Sequence, residues 1–279
     1  MLKSALTPLL LTFITAAGGR YKVLFKAGDD PRQDQLVIQL IRLMDSLLLK
    51  EALDLKLMPY SVLAASSNDG LIEFVDGSHN VSRVIKEHKA GILGFFRKVA
   101  PDPNGPYQIS EAVLDTFARS CAGYSVITYI LAVGDRHLDN LLLTDSGQLF
   151  HIDFGYILGK DPKPLPPPMK LCKEMVEALG GSDSEHYSRF ISYCCESFNI
   201  FRKSAHLILN LLRLMIDANI PDLSSQPERA LRRVEQNFRL DLTDEEAIQY
   251  FQNLIADSVS ALAPQIAETF HRVAMYWRS

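Results

Sequence analysis

The chain has 279 residues, of which 47% are hydrophobic and 22% charged, and a net charge of −4. That is enough apolar material for a well-buried core in one bilobal unit or two small domains, and it excludes a disordered chain. The slightly negative balance gives no bulk electrostatic case for nucleic acid, so any anionic partner must be met by local patches. Cys121, Cys172, Cys194 and Cys195 form no Cys-x-x-Cys pair and no framework spacing, and they read as reduced thiols of a cytosolic protein.

At the start, Lys3, the run Leu6 to Ile14 and the small residues Thr15 to Gly19 imitate a secretory signal with its cleavage site. A hairpin accounts for the same residues without cleavage, and is the expectation: a strand over Leu9 to Thr15, a two-residue turn at Gly18-Gly19 and a returning strand over Arg20 to Lys26. No other apolar run approaches the roughly twenty residues of a membrane span, so the protein is expected to be neither secreted nor transmembrane. Lys22 and Lys26 share a face of the returning strand, where a lysine ordinarily reaches for solvent. Asp30 as N-cap, Pro31 at N1 and Gln33 at N3 make a good helix start. Leu36, Leu40, Leu43, Met44, Leu47 and Leu48 then form a broad apolar face. Strands are expected near Leu55 to Ala65 and Leu71 to Val75, turning at Ser66 to Gly70. Helices follow at Val81 to His88 and Ile92 to Val99, then, beyond a loop through Tyr107, from Ser110-Glu111 to about Val133.

That last helix delivers the stretch where the chemistry is expected. Gly134-Asp135-Arg136-His137-Leu138-Asp139-Asn140 leads into Leu141-Leu142-Leu143, a turn over Thr144 to Gly147, the run Gln148 to Ile152, and Asp153-Phe154-Gly155. Folded as an antiparallel pair, the segment brings Asn140 to face Asp153. A carboxylate and an amide oxygen suit a magnesium ion that takes the rest of its shell from water and nucleotide phosphates. Asp135 and His137 are acid/base candidates in the same loop, and Arg136 an orienting charge.

After Gly155 the prolines at 162, 164, 166, 167 and 168 prevent helix and central strand alike. The final third is helical over Ser182 to Lys203, His206 to Asn219 and Pro227 to Phe238, with a capping box at Thr243 to Glu246 opening another helix that Pro264 breaks. In the terminal segment Ile266, Phe270, Val273, Ala274 and Trp277 lie on one stripe, with Arg278 beside it. Two readings stay open there: a helix packed on the domain, or one meeting a membrane interface with Trp277 as anchor and Arg278 toward anionic lipid.

The order Asp135-Arg136-His137, inverted relative to ordinary protein kinases, resembles the phosphatidylinositol 3- and 4-kinases and their large protein-kinase relatives. Asp161 to Lys170, with Lys173 to Glu177 and Gly180-Gly181, is similar to the class III phosphatidylinositol 3-kinase catalytic subunits, and the likeness covers essentially the whole chain. It implies an α+β, bilobal protein-kinase-like fold. Residues 1–77 would form a small antiparallel-sheet lobe and 78–279 a larger, mainly helical lobe, with a catalytic loop at 134–140, an activation segment at 153–173 and a C-terminal helix at 264–279. The family has one more strand ahead of this start, so the likeness implies a fragment.

Lys26-Ala-Gly-Asp-Asp-Pro-Arg-Gln-Asp34 resembles the family's run with Pro31 in place of leucine, which makes Lys26 the phosphate-binding lysine. By the same likeness Ser4 covers the phosphates, Asp34 and Tyr60 wall the adenine pocket, and the Ile72 to Val75 stretch, with Ile72, Phe74 and Val75, is the interlobe hinge. Lys160, Lys163 and Lys170 are the activation segment's basic residues, and their wide spacing favours unphosphorylated phosphatidylinositol as acceptor. The implied cofactors are ATP and Mg2+, with Mn2+ as an alternative. The implied partners are phosphatidylinositol in membranes, a kinase-like regulatory subunit and a Beclin-type subunit, on endosomal and autophagic membranes reached from the cytoplasm. A related protein serine/threonine kinase and an inactive lipid- or partner-binding module are the alternatives.

Overall fold

The computed structural model describes residues 8–28, 30–163, 169 and 171–260. Ser4, Lys170, Trp277, Arg278 and the expected helix over 264–279 lie outside the described residues, as does the 164–168 stretch of the activation segment.

The chain opens with an antiparallel hairpin of β1 (Leu9–Ile14) and β2 (Arg20–Ala27), in register from Leu9 opposite Phe25 to Ile14 opposite Arg20. Its turn is longer than the expected Gly-Gly pair. Thr15 gives its N–H to the Gly19 carbonyl at 2.8 Å around a three-residue loop, and Gly18 supplies the φ of 81° that closes it. β3 (Val62–Ala64) and β4 (Asp69–Glu73) complete a four-stranded sheet in the order β1-β2-β4-β3. The strand expected from Leu55 therefore shrinks to three residues. Leu53, Leu55 and Leu57 are buried instead, Leu55 and Leu57 against Gly123 of the domain's central helix, and the hydroxyl of Tyr124 takes the Met58 N–H at 3.3 Å and donates to its carbonyl at 3.1 Å. One side chain thus satisfies backbone groups that a partner strand would otherwise claim.

Between the two hairpins runs α1 (Arg32–Lys50), which begins one residue later than expected. Pro31 is its cap and makes no side-chain cap bond, whereas the Asp30 carboxylate takes both the Arg32 N–H at 3.1 Å and the Arg32 guanidinium at 2.7 Å. The buried face is Leu36, Val37, Leu40, Ile41, Met44 and Leu48, with Leu43 and Leu47 at its half-buried margin.

A second sheet, ordered β5-β6-β7, consists of β5 (Ser78–Asn80), β6 (Leu141–Thr144) and β7 (Leu149–His151). The remainder is helical: α2 (Val81–Glu87), α3 (Gly91–Val99), α4 (Glu111–Ile130), α5 (Lys173–Ala178), α6 (Glu185–Lys203), α7 (Ala205–Leu214), α8 (Pro221–Ser224), α9 (Pro227–Phe238) and α10 (Asp244–Ser260). The single helix expected over His206 to Asn219 ends at Leu214, passes through a 3-10 turn at Ile216–Ala218 and stops at Asn219, whose φ is 54°. The capping box opens α10 as expected: Thr243 N–H reaches the Glu246 carboxylate at 2.8 Å, and Glu246 N–H reaches the Thr243 hydroxyl at 3.2 Å.

α4 is the centre of the molecule. Every residue from Ser120 to Ile130 is buried, so over that stretch the helix has no wet face. α6 and α10 pack on it through aromatic rings, with Phe198 and Phe251 centred 4.6 Å apart and Tyr129 edge-on to Phe251 at 5.5 Å. Burial stabilises by about 1.5–3 kcal/mol for each such side chain. Cys121, Cys194 and Cys195 lie in this packing as free thiols, and Cys172 sits half-buried just before α5. Among the described residues, no helix is long and apolar enough to cross a membrane.

Candidate active site

α4 ends in a tight left-handed cap: Val133 N–H returns to the Thr128 carbonyl at 2.9 Å, and Ala132 N–H to that of Tyr129 at 3.1 Å, with Ala132 at φ 45°. The reversal throws Gly134 against the segment that follows Asp153. Gly134 donates to the Tyr156 carbonyl at 2.8 Å, and a Cβ on it would sit 2.2 Å from the Lys160 carbonyl oxygen. Only glycine allows that approach.

Asp135 comes next, in the left-handed region at φ 46°. Its N–H is held by the Asp161 carboxylate at 3.1 Å and its carbonyl by the Asn140 side-chain amide at 3.0 Å, so the strained backbone is fixed on both sides. The Asp135 carboxylate lies 3.8 Å from His137 Nε2, and the two candidate acid/base groups form one facing pair. Beyond them a 3-10 turn, Leu138–Asn140, leads into β6.

The β6–β7 ladder pairs Leu141 with His151, and one further bond from Ile152 N–H to the Asn140 carbonyl at 3.1 Å extends it. Asn140 therefore stands opposite Ile152, and Asp153 follows one residue beyond that pair, so the register is one residue off the expected Asn140–Asp153 facing. Asn140 is buried and its NH2 already donates to Asp135, which leaves its side-chain oxygen as the group able to meet a cation. Asp153 is at φ 61°. Among the described residues, no cluster of three or more His, Cys, Asp or Glu is assembled for a metal. Two oxygen ligands from protein suit a magnesium ion that nucleotide phosphates and water complete, so the residues fit that ion.

Arg136 welds the two loops together. Its guanidinium donates to the carbonyls of Gly134 at 2.7 Å and Ile152 at 3.1 Å, also reaches that of Asp153, and lies over the Phe154 ring at 5.5 Å. Burial pulls its pKa below the ordinary arginine value, opposed by the carboxylates of Asp153 and Asp135. The expected orienting charge is in the site, and the loop backbones are what it orients.

In the four-stranded sheet, β2 separates its two lysines. Lys22 pairs with Asp76 at 2.6 Å and lies 5.8 Å from the Phe74 ring, which assigns it to the connection between the sheets. Lys26 stands at the far end of the strand, opposite Gly70. Ile72 lies on β4 opposite Leu24, Phe74 gives its N–H to the Lys22 carbonyl at 3.0 Å, and the Val75 carbonyl accepts the Ser78 hydroxyl at 2.6 Å. Asp34 is buried and accepts the Phe154 N–H at 2.9 Å. Burial pushes the Tyr60 hydroxyl well above its ordinary pKa, and the nearby Asp34 carboxylate adds to the shift. Asp34 thus meets the backbone immediately after Asp153. Lys160 pairs with Asp222 at 2.9 Å and donates to the Ser225 hydroxyl at 2.9 Å, whereas Lys163 is exposed and gives its N–H to Asp161.

Three residues of this assembly have no site role in the sequence reading: Gln33, whose amide donates to the Phe154 carbonyl at 2.8 Å, Asp161 and Asp222. Gln33 and Asp161 stand inside motif runs, so adjacency alone pointed to them. Asp222 sits on a four-residue helix with no sequence signal.

Residues 20–225 match the model of the family described as phosphatidylinositol 3- and 4-kinase. The chain is 58% identical over 276 residues to the soybean "Phosphatidylinositol 3-kinase, root isoform", covering 99% of this chain and 34% of that protein. It is 58% identical over 279 residues to Arabidopsis thaliana "Phosphatidylinositol 3-kinase VPS34", covering 100% of this chain and 34% of that protein. To the Saccharomyces cerevisiae protein of the same name it is 51% identical over 277 residues, covering 99% and 31%. The chain spans about a third of the length of these curated relatives.

Proposed function

Because the chain belongs to the phosphatidylinositol 3- and 4-kinase family, we propose that it transfers the γ-phosphoryl group of ATP to the 3-hydroxyl of phosphatidylinositol. The observation that carries this is the interlocked pair of loops. Asp135 and His137 face each other 3.8 Å apart, and Arg136 holds their loop to the backbone that presents Asp153.

In the transfer, the inositol hydroxyl oxygen forms a bond to the γ-phosphorus, the bond to the β–γ bridging oxygen breaks, and the hydroxyl proton passes to Asp135 or His137. His137 is the residue we place nearest the attacking hydroxyl. Lys26, on a strand, holds the phosphates, and Ser4 covers them. The hinge at Ile72, Phe74 and Val75 meets the adenine, beside Asp34 and Tyr60. Asn140 and Asp153 would hold magnesium, which neutralises phosphate charge when bound. The transition state is loose and its charge is spread over oxygens, so positioning and electrostatics supply most of the acceleration. Fixing Asp135 from both sides of its backbone before substrate arrives is that kind of positioning.

Lys160, Lys163 and Lys170 would meet the lipid headgroup, and Trp277 and Arg278 the bilayer. The likeness to proteins named phosphatidylinositol 3-kinase VPS34 spans this whole chain and about a third of theirs; on that reading the chain acts peripherally on endosomal and autophagic membranes, with a kinase-like and a Beclin-type subunit as partners.

The test is transfer of labelled phosphate from ATP to phosphatidylinositol vesicles with the position of the product phosphate resolved, for the chain as written and for Asp153→Asn. A 3-phosphate product that falls at least 10²-fold in the variant is expected. Labelling of a peptide acceptor in preference to lipid would overturn the lipid reading.

A further inference from the structure

The loop beginning at Asp153 is held from behind by two elements far away in sequence. α1 takes both backbone groups of Phe154: its N–H goes to Asp34 at 2.9 Å, and its carbonyl accepts from the Gln33 amide at 2.8 Å. Three residues on, the Ile157 N–H goes to the Asp222 carboxylate at 2.9 Å. Asp222 and Gln33 are themselves bonded twice. The Gln33 amide donates to the Asp222 carboxylate at 3.2 Å, and the Asp222 N–H donates to the Gln33 side-chain oxygen at 3.1 Å. The second Asp222 oxygen pairs with Lys160 at 2.9 Å.

Asp222 is 8% exposed and Gln33 5%, and Phe154 between them is fully buried. A buried carboxylate is costly unless its charge is matched and its lone pairs are filled. Here an ammonium matches the charge and two N–H donors fill the other oxygen, so both oxygens have fixed directions. The consequence lies in what those bonds hold. Residues 154 to 160 run between Asp153, which faces the metal position, and Asp161, which holds the strained Asp135 backbone. A shift of this stretch moves both ends of the site together.

We propose that Asp222 is a positioning residue for phosphoryl transfer, acting with Gln33 as a bridge that sets the activation segment, and through it Asp153 and Asp135, against α1. This inference rests on the phosphotransferase reading of the site.

The test uses the chain as written, with Asp222→Asn, which keeps the side-chain shape while removing the charge and turning one oxygen into a donor. Phosphatidylinositol vesicles and magnesium-ATP are the substrates. The expected result is a kcat lowered about 10- to 100-fold, with KM for ATP within about threefold. The magnesium concentration giving half-maximal rate should rise, and amide exchange should quicken at Ile157 while α4 keeps its protection. Asp222→Glu, which restores the charge, should recover part of kcat. If Asp222→Asn does not yield folded protein, Gln33→Met carries the same prediction, because it cuts the bridge and leaves the carboxylate with Ile157 and Lys160.

Unchanged kcat and magnesium dependence in a folded variant would overturn the proposal and leave the function standing, as would a loss of rate fully explained by lower thermal stability. Absence of transfer by the unaltered chain to lipid or peptide would overturn the function and the proposal together.

Discussion

The β1–β2 hairpin and the α4 helix are built on opposite principles. All six residues of β1 are exposed, with Leu9, Leu10, Phe13 and Ile14 at half or more of their full exposure, whereas α4 is buried on every side over its last eleven residues. Yet each carries residues of the proposed site: β2 holds Lys26 one residue from its end, and the cap of α4 releases Gly134 and Asp135. Rigidity near the chemistry therefore comes from the helical side. The sheet carries a lysine on a strand, and α1 joins the two sides, taking the Ala64 N–H of β3 on Gln35 and the Phe154 backbone on Gln33 and Asp34.

The sharpest way to break that contrast is to make the same truncation in both regions. Phe117→Ala, at a fully buried ring on α4, should cost about 3–5 kcal/mol of unfolding free energy. Phe13→Ala, at a ring that is 50% exposed on β1, should stay within about 0.5 kcal/mol. Denaturant titration of both variants checks the pair, and equal costs would mean that the hairpin is part of the cooperative core.

Lys26→Met turns the comparison around, because it removes function from the thinly buried side. Transfer to lipid should fall on the order of 10²–10³-fold, equivalent to about 2.7–4 kcal/mol in the barrier, with the thermal midpoint shifted by no more than a degree or two. A variant that kept its rate would remove Lys26 from the phosphate site.

The smallest effect probes α1, between the two regions. Burial, and then the charge of Asp54, raise the Asp45 carboxyl above its ordinary pKa. A raised native pKa means that the fold favours the protonated form, a contribution present below the unfolded value and lost as pH rises through the native one. At neutral pH the ionised group therefore opposes folding. Asp45→Asn should stabilise by about a few tenths of a kcal/mol at pH 7, a figure already reduced for solvent screening, and by nothing near pH 3. Melting curves at the two pH values check the sign.

The site was legible where chemistry and periodicity coincide. Asp135, Arg136, His137, Asn140 and Asp153 lie on a loop, a hairpin and a second loop whose spacing can be read directly, and the hairpin forms, with Asn140 opposite Ile152 and Asp153 one residue beyond the pair. The order of the long helices was legible for the same reason. What escaped notice depends on partners distant in sequence. Leu53, Leu55 and Leu57 look like strand residues, but Leu55 and Leu57 pack on α4, and Leu57 closes on Gly123 so tightly that a Cβ there would meet it at 2.6 Å. β5 is three polar or aromatic residues long and is a strand only because β6 offers it an edge. α8 has four residues, and the importance of Asp222 appears only when Gln33, Ile157 and Lys160 converge on it. The positive φ of Asp135 and Asp153 is imposed by the surrounding bonds, and no residue type announces it.

The free thiols inside the helical side make that side its own chemical clock. Burial pushes Cys195 to about 11 and Cys172 to about 12, and raises Cys121 and Cys194 well above the ordinary value. Since only the thiolate reacts, a group at about 11 is ionised to roughly one part in a thousand at pH 8. Alkylation of Cys121 and Cys194 can then proceed only through molecules whose α4–α6 packing has opened, and its rate counts those openings without any added label. Cys172, half-buried just before α5, packs against the same core, so its modification reports the margin of that packing.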